Sequence, residues 1–185
     1  MGYFEEQRIE GLNELETGEY ELCEFVNCDL SESNLSGLKF TDCEFIECNL
    51  SVAHVSGTAF RNCSFQSSKL LGIRFEDCNP LGISLSFHNC IMDHTSFYNL
   101  KLKATTFANC RLTEVDFTNT DLSGSSFENS DLSGTVFDRT NLQKTDFRTA
   151  FNYRIDPEIN SLKKAQFSLQ GLTGLLYKYD LKIEK

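Results

Sequence analysis

From Tyr20 to Phe147, almost every fifth residue of this chain is large and apolar. The first run reads Tyr20, Phe25, Leu30, Leu35, Phe40, Phe45, Leu50, Val55, Phe60, Phe65, Leu70 and Phe75. A second begins at Phe87 and continues through Met92, Phe97, Leu102 and Phe107 to Phe147. Amphipathic helices need an apolar spacing of about 3.6 and strands one of about 2, so neither explains a period of five. Two places before the large residue, in most repeats, sits a small one, such as Cys23, Cys28, Ser33, Cys43, Cys48, Ala53 and Thr58. The other three positions are mostly polar. Two inward residues in every five describe a solenoid whose wall turns a corner once per unit.

Thr120-Asp121-Leu122-Ser123-Gly124 and Ser130-Asp131-Leu132-Ser133-Gly134 match, almost letter for letter, the unit A-(D/N)-L-x-x. Over about residues 18–150 the chain resembles the pentapeptide-repeat family. That resemblance implies an all-β solenoid, a right-handed quadrilateral β-helix with four units per coil. Residues 20 apart should then stack. Phe25, Phe45, Phe65, Phe87, Phe107, Phe127 and Phe147 form one column. They do so only if the segment 78–84, containing Pro80 and Gly82, counts as one side with a two-residue bulge. The adjoining columns are then Leu30, Leu50, Leu70, Met92, Leu112, Leu132, and Leu35, Val55, Phe75, Phe97, Phe117, Phe137. The last is Tyr20, Phe40, Phe60, the bulge, Leu102, Leu122 and Leu142. The expected domain layout is a β-helix over 1–155, with an N-terminal cap at 1–17, and a C-terminal helical cap and dimerisation element over 156–185. About six and a half coils at roughly 4.8 Å each would make a rod of roughly 30 Å.

Charge is divided between the ends. Residues 1–50 carry 13 acids against Arg8 and Lys39, a balance of −11; residues 51–185 carry 14 acids and 15 bases, a balance of +1. An acidic chain argues against direct nucleic-acid binding and suits a partner with a basic surface. Glu24, Glu44 and Glu47 are expected close together on one outer side, as candidate partner-binding residues. No apolar run reaches the roughly 18 residues of a membrane span. The N-terminus lacks the basic and apolar regions of a signal peptide, and a cytoplasmic location is expected. The eight cysteines are then free thiols filling the small inward position. No C-x-x-C pair exists, and neighbours five apart fall on different sides, so no metal site or cofactor is expected. His54, His88 and His94 fall at outward positions without converging partners, so no catalytic residue is assigned and no enzyme is expected. Asn27, Asn89, Asn109 and Asn129 should form an amide ladder along one corner.

A solenoid must close its ends. At the N-terminus Ile9, Leu12 and Leu15 are expected to cover the first coil. At the other end, Asp156-Pro157-Glu158 predicts a helix start. Ala165-Gln166-Phe167 looks like one further unit, with Phe167 extending the Phe column. Ser168 is expected to cap a helix with the apolar stripe Leu169, Leu172, Leu175, Leu176 and Tyr179, and Leu181-Lys182-Ile183-Glu184 reads as a short strand. This ending is similar to the C-terminus of the Qnr-type topoisomerase-protecting members. The similarity implies a homodimer through that stripe. It also implies a non-catalytic DNA mimic that binds DNA gyrase or topoisomerase IV and protects it from quinolones or toxins. The alternative is a scaffold protein that binds another cytoplasmic protein through a flat β face.

Overall fold

In the computed structural model, which describes residues 2–182, the corner has a single backbone cause. The second residue after nearly every large one lies in the left-handed region: Asn27 at φ 51°, Glu32 at 57°, Gly37 at 73°, Asp42 at 52°, and so on down the chain, with Asp77, at the end of a 3₁₀ turn, and Thr149 as exceptions. One left-handed residue between extended ones turns the wall, so five residues make one side. Asn recurs at these corners because its short side chain tolerates φ > 0. Val52, at φ 58°, is the β-branched exception.

Successive coils pair in parallel. One wall is the four-stranded sheet β1 (Gly2–Glu5), β3 (Gly18–Glu21), β5 (Lys39–Thr41) and β7 (Ala59–Arg61). The next wall is six-stranded: β2 (Arg8–Glu10), β4 (Glu24–Val26), β6 (Glu44–Ile46), β8 (Cys63–Gln66), β9 (Leu85–His88) and β10 (Thr106–Ala108). Single bridges build the third wall, from Asp29–Asn49 to Asp131–Phe151, and the fourth, from Asn34–His54 to Asp116–Val136. Glu44 aligns with Ser64, 20 residues on, whereas Cys63 aligns with Leu85, 22 on; the spacing of 20 returns at Ser86–Thr106. The two extra residues are therefore absorbed within 78–84, on the first wall. There Gly82 has φ 76°, and Ile83 packs against the core.

The Phe column is continuous. Phe25, Phe45, Phe65, Phe87, Phe107, Phe127 and Phe147 are each fully buried, with successive rings stacked at centroid distances from 4.7 to 5.3 Å. Rings of neighbouring walls meet these edge-on, as aromatic quadrupoles favour. Each coil alone is too thin to bury its large residues; stacking buries them.

The small inward residue also ties coil to coil. The Thr120 hydroxyl donates to the Phe97 carbonyl at 2.7 Å, Ser130 to Phe107 at 3.0 Å, and the Cys48 thiol to Phe25 at 3.3 Å. Each tie reaches back 23 residues. Ser130 also accepts the Cys110 N–H at 3.0 Å. Cys, Ser and Thr therefore recur here both for size and because a buried backbone group needs a partner.

Both ends differ in part from expectation. The first strands do not lie over the coil as a separate lid; they continue the walls, with Gly2 aligned to Gly18 and Arg8 to Glu24. Phe4 stacks on Tyr20 at 4.6 Å, and Ile9 and Leu15 pack against the core. Leu12 is instead exposed, and Phe4 does the covering expected of it. At the C-terminus the bridges Asn141–Ser161 and Asp146–Gln166 carry the walls past residue 155, and Phe167 stacks on Phe147 at 5.3 Å. Asp156-Pro157-Glu158 starts no helix: 157–159 form a turn, in which the Asp156 carboxylate accepts the Glu158 N–H. The helical cap begins with a 3₁₀ turn at Gln170–Leu172, followed by α1 (Thr173–Leu176) and a second 3₁₀ turn at Tyr177–Tyr179. Leu181 and Lys182 carry no strand, and the rest of that expected strand lies outside the described residues.

Candidate functional site

Glu24 and Glu44 stand side by side on β4 and β6, aligned in register on the second wall. Glu47 occupies the corner that ends the same side, at φ 53°. The expected cluster thus shares one outer surface, and Glu44 and Glu47 are exposed. Glu24 is already engaged, since Arg8 from β2 donates to it at 2.9 Å. On the first wall Glu19 pairs with Lys39. Glu21 accepts the Tyr3 hydroxyl at 2.7 Å, and that bond pushes the Tyr3 phenol up to about 12. Glu5, Glu6, Glu10, Glu14 and Glu16 are exposed around the N-terminal end. This end of the rod therefore presents carboxylates on fixed strands, at the coil spacing of roughly 4.8 Å.

At the opposite end, the cap docks through glycine. A Cβ on Gly171 would lie 1.9 Å from the Tyr153 hydroxyl, and one on Gly174 would lie 2.3 Å from the Tyr153 carbonyl. The Ile155 N–H donates to the Gly174 carbonyl at 3.0 Å, and Ser168 caps the segment by accepting the Gly171 N–H at 3.1 Å. Lys178 fastens the far side, with 2.7 Å contacts to Asp156 and Glu158. This doubly paired cation holds both carboxyls below the usual range. Because the glycine face meets the solenoid, the apolar stripe points away from it. Leu169 is 83% exposed, and Leu172, Leu176 and Tyr179 are also exposed; of the stripe, only Leu175 packs against the core.

The other candidates are structural in their surroundings. All eight thiols are free and buried. Burial pushes Cys43 up to about 11 and Cys63 up to about 12. Among the described residues no group of three or more His, Cys, Asp or Glu could hold a metal. His54, His88 and His94 are exposed, and His94 faces Glu114 at 3.2 Å. Of the expected Asn ladder, Asn129 donates to Asn109 at 3.3 Å. All four members share the left-handed corner, which accounts for the residue type. A groove of about 800 Å³ beside the cap is lined by Tyr153, Arg154, Ser168, Gln170 and Tyr177, among others, and its lining has no His, Cys, Asp or Glu. Among the described residues, no helix is long and apolar enough to cross a membrane.

These features define a four-walled parallel β-solenoid of five-residue units with one helical end cap. The sequence profile for a pentapeptide repeat region matches residues 83–150, and that for pentapeptide repeats matches 23–58 and 43–79. The chain belongs to the pentapeptide-repeat family. No curated protein sequence matches it. Among solved structures, it is similar to a trypsin-treated variant of QnrB1, a plasmid-mediated fluoroquinolone resistance protein. That likeness has 16% identity, a TM-score of 0.66, and covers 99% of this chain and 100% of the other. A second trypsin-treated QnrB1 variant, with a different single substitution, gives 19% identity and a TM-score of 0.56 over 99% of both chains. HetL, a pentapeptide-repeat protein involved in heterocyst differentiation regulation from the cyanobacterium Nostoc sp. strain PCC 7120, gives 15% identity and a TM-score of 0.50. The match covers 89% of this chain and 84% of HetL. At these identities the likeness is one of fold.

Proposed function

We propose that this chain is a non-catalytic protein-binding module that imitates the charge of DNA. In this reading it binds a type II topoisomerase, DNA gyrase or topoisomerase IV, and protects it from quinolones or toxins. The observation that carries this is the fixed line of carboxylates at the N-terminal end, with Glu24 and Glu44 in register and Glu47 at the adjoining corner. Charges set at coil spacing on a rigid backbone attract a basic DNA-binding saddle without the cost of ordering a flexible chain segment. The end-to-end likeness in fold to QnrB1, a fluoroquinolone resistance protein, supports the choice of partner. The working form is a homodimer through Leu169, Leu172, Leu176 and Tyr179, which the glycine-faced docking of the cap leaves uncovered.

The test is a gyrase supercoiling and quinolone-cleavage assay at low salt. Added protein should inhibit supercoiling and reduce drug-stabilised cleavage. Changing Glu24, Glu44 and Glu47 together to Lys should weaken both effects and flatten their salt dependence. Light scattering should give twice the 21.0 kDa chain mass, falling to one chain in Leu176→Glu. If the protein leaves gyrase and topoisomerase IV untouched, the scaffold reading replaces this one.

A further inference from the structure

The near-neutral balance of residues 51–185 hides a spatial sorting of charge. The first wall collects bases. Arg61 ends β7, and Lys101 lies above Asp121, which lies above Asn141 and then Ser161. Lys103 and Lys163 occupy the other outward position of this wall, and Lys144 and Lys164 stand at its left-handed corner, at φ 60° and 64°. The Lys144 N–H donates to the Lys163 carbonyl at 3.0 Å, which places those two lysines on adjacent coils.

Pairing separates this group from most of the other bases. On the remaining walls and the caps, Arg8, Arg74, Arg111, Arg139, Arg148 and Lys178 each hold a carboxylate of this chain. Arg61, Lys101, Lys144, Lys163 and Lys164 make no ion pair among the described residues. The lysines are exposed. Lys103 alone meets a carboxylate, Asp121 at 3.4 Å, and that carboxylate already accepts the Asn141 amide at 2.9 Å. The same wall carries Leu81, 74% exposed, at the bulge.

We infer that the C-terminal half of the first wall is a second docking surface, for an acidic segment of another protein. Unpaired ammonium groups on one wall, Lys101 two coils from Lys144 and Lys144 one coil from Lys163 and Lys164, attract carboxylates, and screening by salt weakens that attraction. A nucleic-acid backbone is less suited. The flat wall offers no helix or ribbon to enter a groove. This surface lies on a different wall from Glu24 and Glu44 and does not depend on the topoisomerase reading.

Fluorescence anisotropy of a labelled oligoglutamate peptide at low ionic strength tests it. The parent should bind, and added salt should release the peptide. The triple variant Lys101→Glu, Lys144→Glu, Lys163→Glu should bind roughly tenfold more weakly or worse, with the corresponding Gln triple in between. The double variant Arg139→Glu, Arg148→Glu, on paired bases of other walls, should bind as the parent does. Unchanged circular dichroism in all three confirms the fold. No binding by the parent overturns the inference, as does equal binding by parent and Glu triple. Tighter binding of a short DNA duplex than of oligoglutamate reassigns the surface to nucleic acid and likewise overturns it.

Discussion

Truncation of Phe107 to Ala measures how far the stacked bore behaves as one core. Phe107 is fully buried on β10. Its ring stacks on Phe87 at 5.2 Å and on Phe127 at 4.9 Å, and meets Phe97 at 6.0 Å and Phe117 at 5.6 Å edge-on. Phe→Ala in a core costs about 3–5 kcal/mol, the larger values arising where the site cannot collapse. Here backbone bonds tie each wall to the same wall of the next coil, which stiffens the walls against collapse, and the Phe107 carbonyl is tied to Ser130 one coil on. We therefore expect a loss of about 4–5 kcal/mol. Phe167, at the end of the same column, is only partly buried and keeps one stacked Phe neighbour, Phe147. Phe167→Ala should cost about 1–2 kcal/mol, in line with partial loss of one apolar side chain. Urea unfolding with linear extrapolation provides both values, and an unchanged slope shows that the same cooperative unit is melting. A Phe107→Ala loss below about 1 kcal/mol, or one equal to that of Phe167→Ala, would refute the argument for a rigid, mutually stacked core.

Val52→Gly should stabilise the protein by about 1 kcal/mol, because it relieves a β-branched residue at φ 58° by more than it costs in backbone entropy; thermal melts that shift downward would count against the left-handed corner. Thiol titration at mildly alkaline pH should find little reaction in the native protein and all eight cysteines in denaturant. Burial both shields the thiols and pushes groups such as Cys48 and Cys63 up to about 12. Acid should free the helical cap before the solenoid melts. Asp156 and Glu158 have depressed folded values, so their contribution is present above the ordinary carboxylate range and is lost as pH falls through the folded values, below about pH 4. Hydrogen exchange at 173–179 should rise there ahead of exchange at β8 to β10, and simultaneous loss of both would disprove a separately anchored cap.

The period of five, the four columns and the bulge were legible because inward positions admit few side chains and repeat at fixed spacing. Even Phe167 could be placed by adding 20 to Phe147. Phe4 escaped because the first coil is short: Gly2 aligns with Gly18, 16 residues on, and the series looks broken there. The turn at Asp156-Pro157 imitates a helix start, since an Asp side chain accepts a local N–H in either setting. The orientation of the cap was hidden as well. Five apolar residues outweigh two glycines in any pattern, yet Gly171 and Gly174 decide which face meets Tyr153. Acidity at the N-terminal end could be summed directly along the chain. The basic wall could not, because its members are spread over several coils, with the residues of three other walls between them in the chain.

The bulge at 78–84 shows what this architecture does with added chain. Two surplus residues shift the partner of Cys63 to Leu85, yet Phe65 still stacks on Phe87 at 5.3 Å, and the next coil resumes its spacing. The disturbance stays within one side of one coil, because every other contact of that coil is made by residues outside it. Evolution, or an engineer, can therefore graft a longer segment between Asn79 and Ser84 and display it on a stiff post, its height set by the number of coils beneath it.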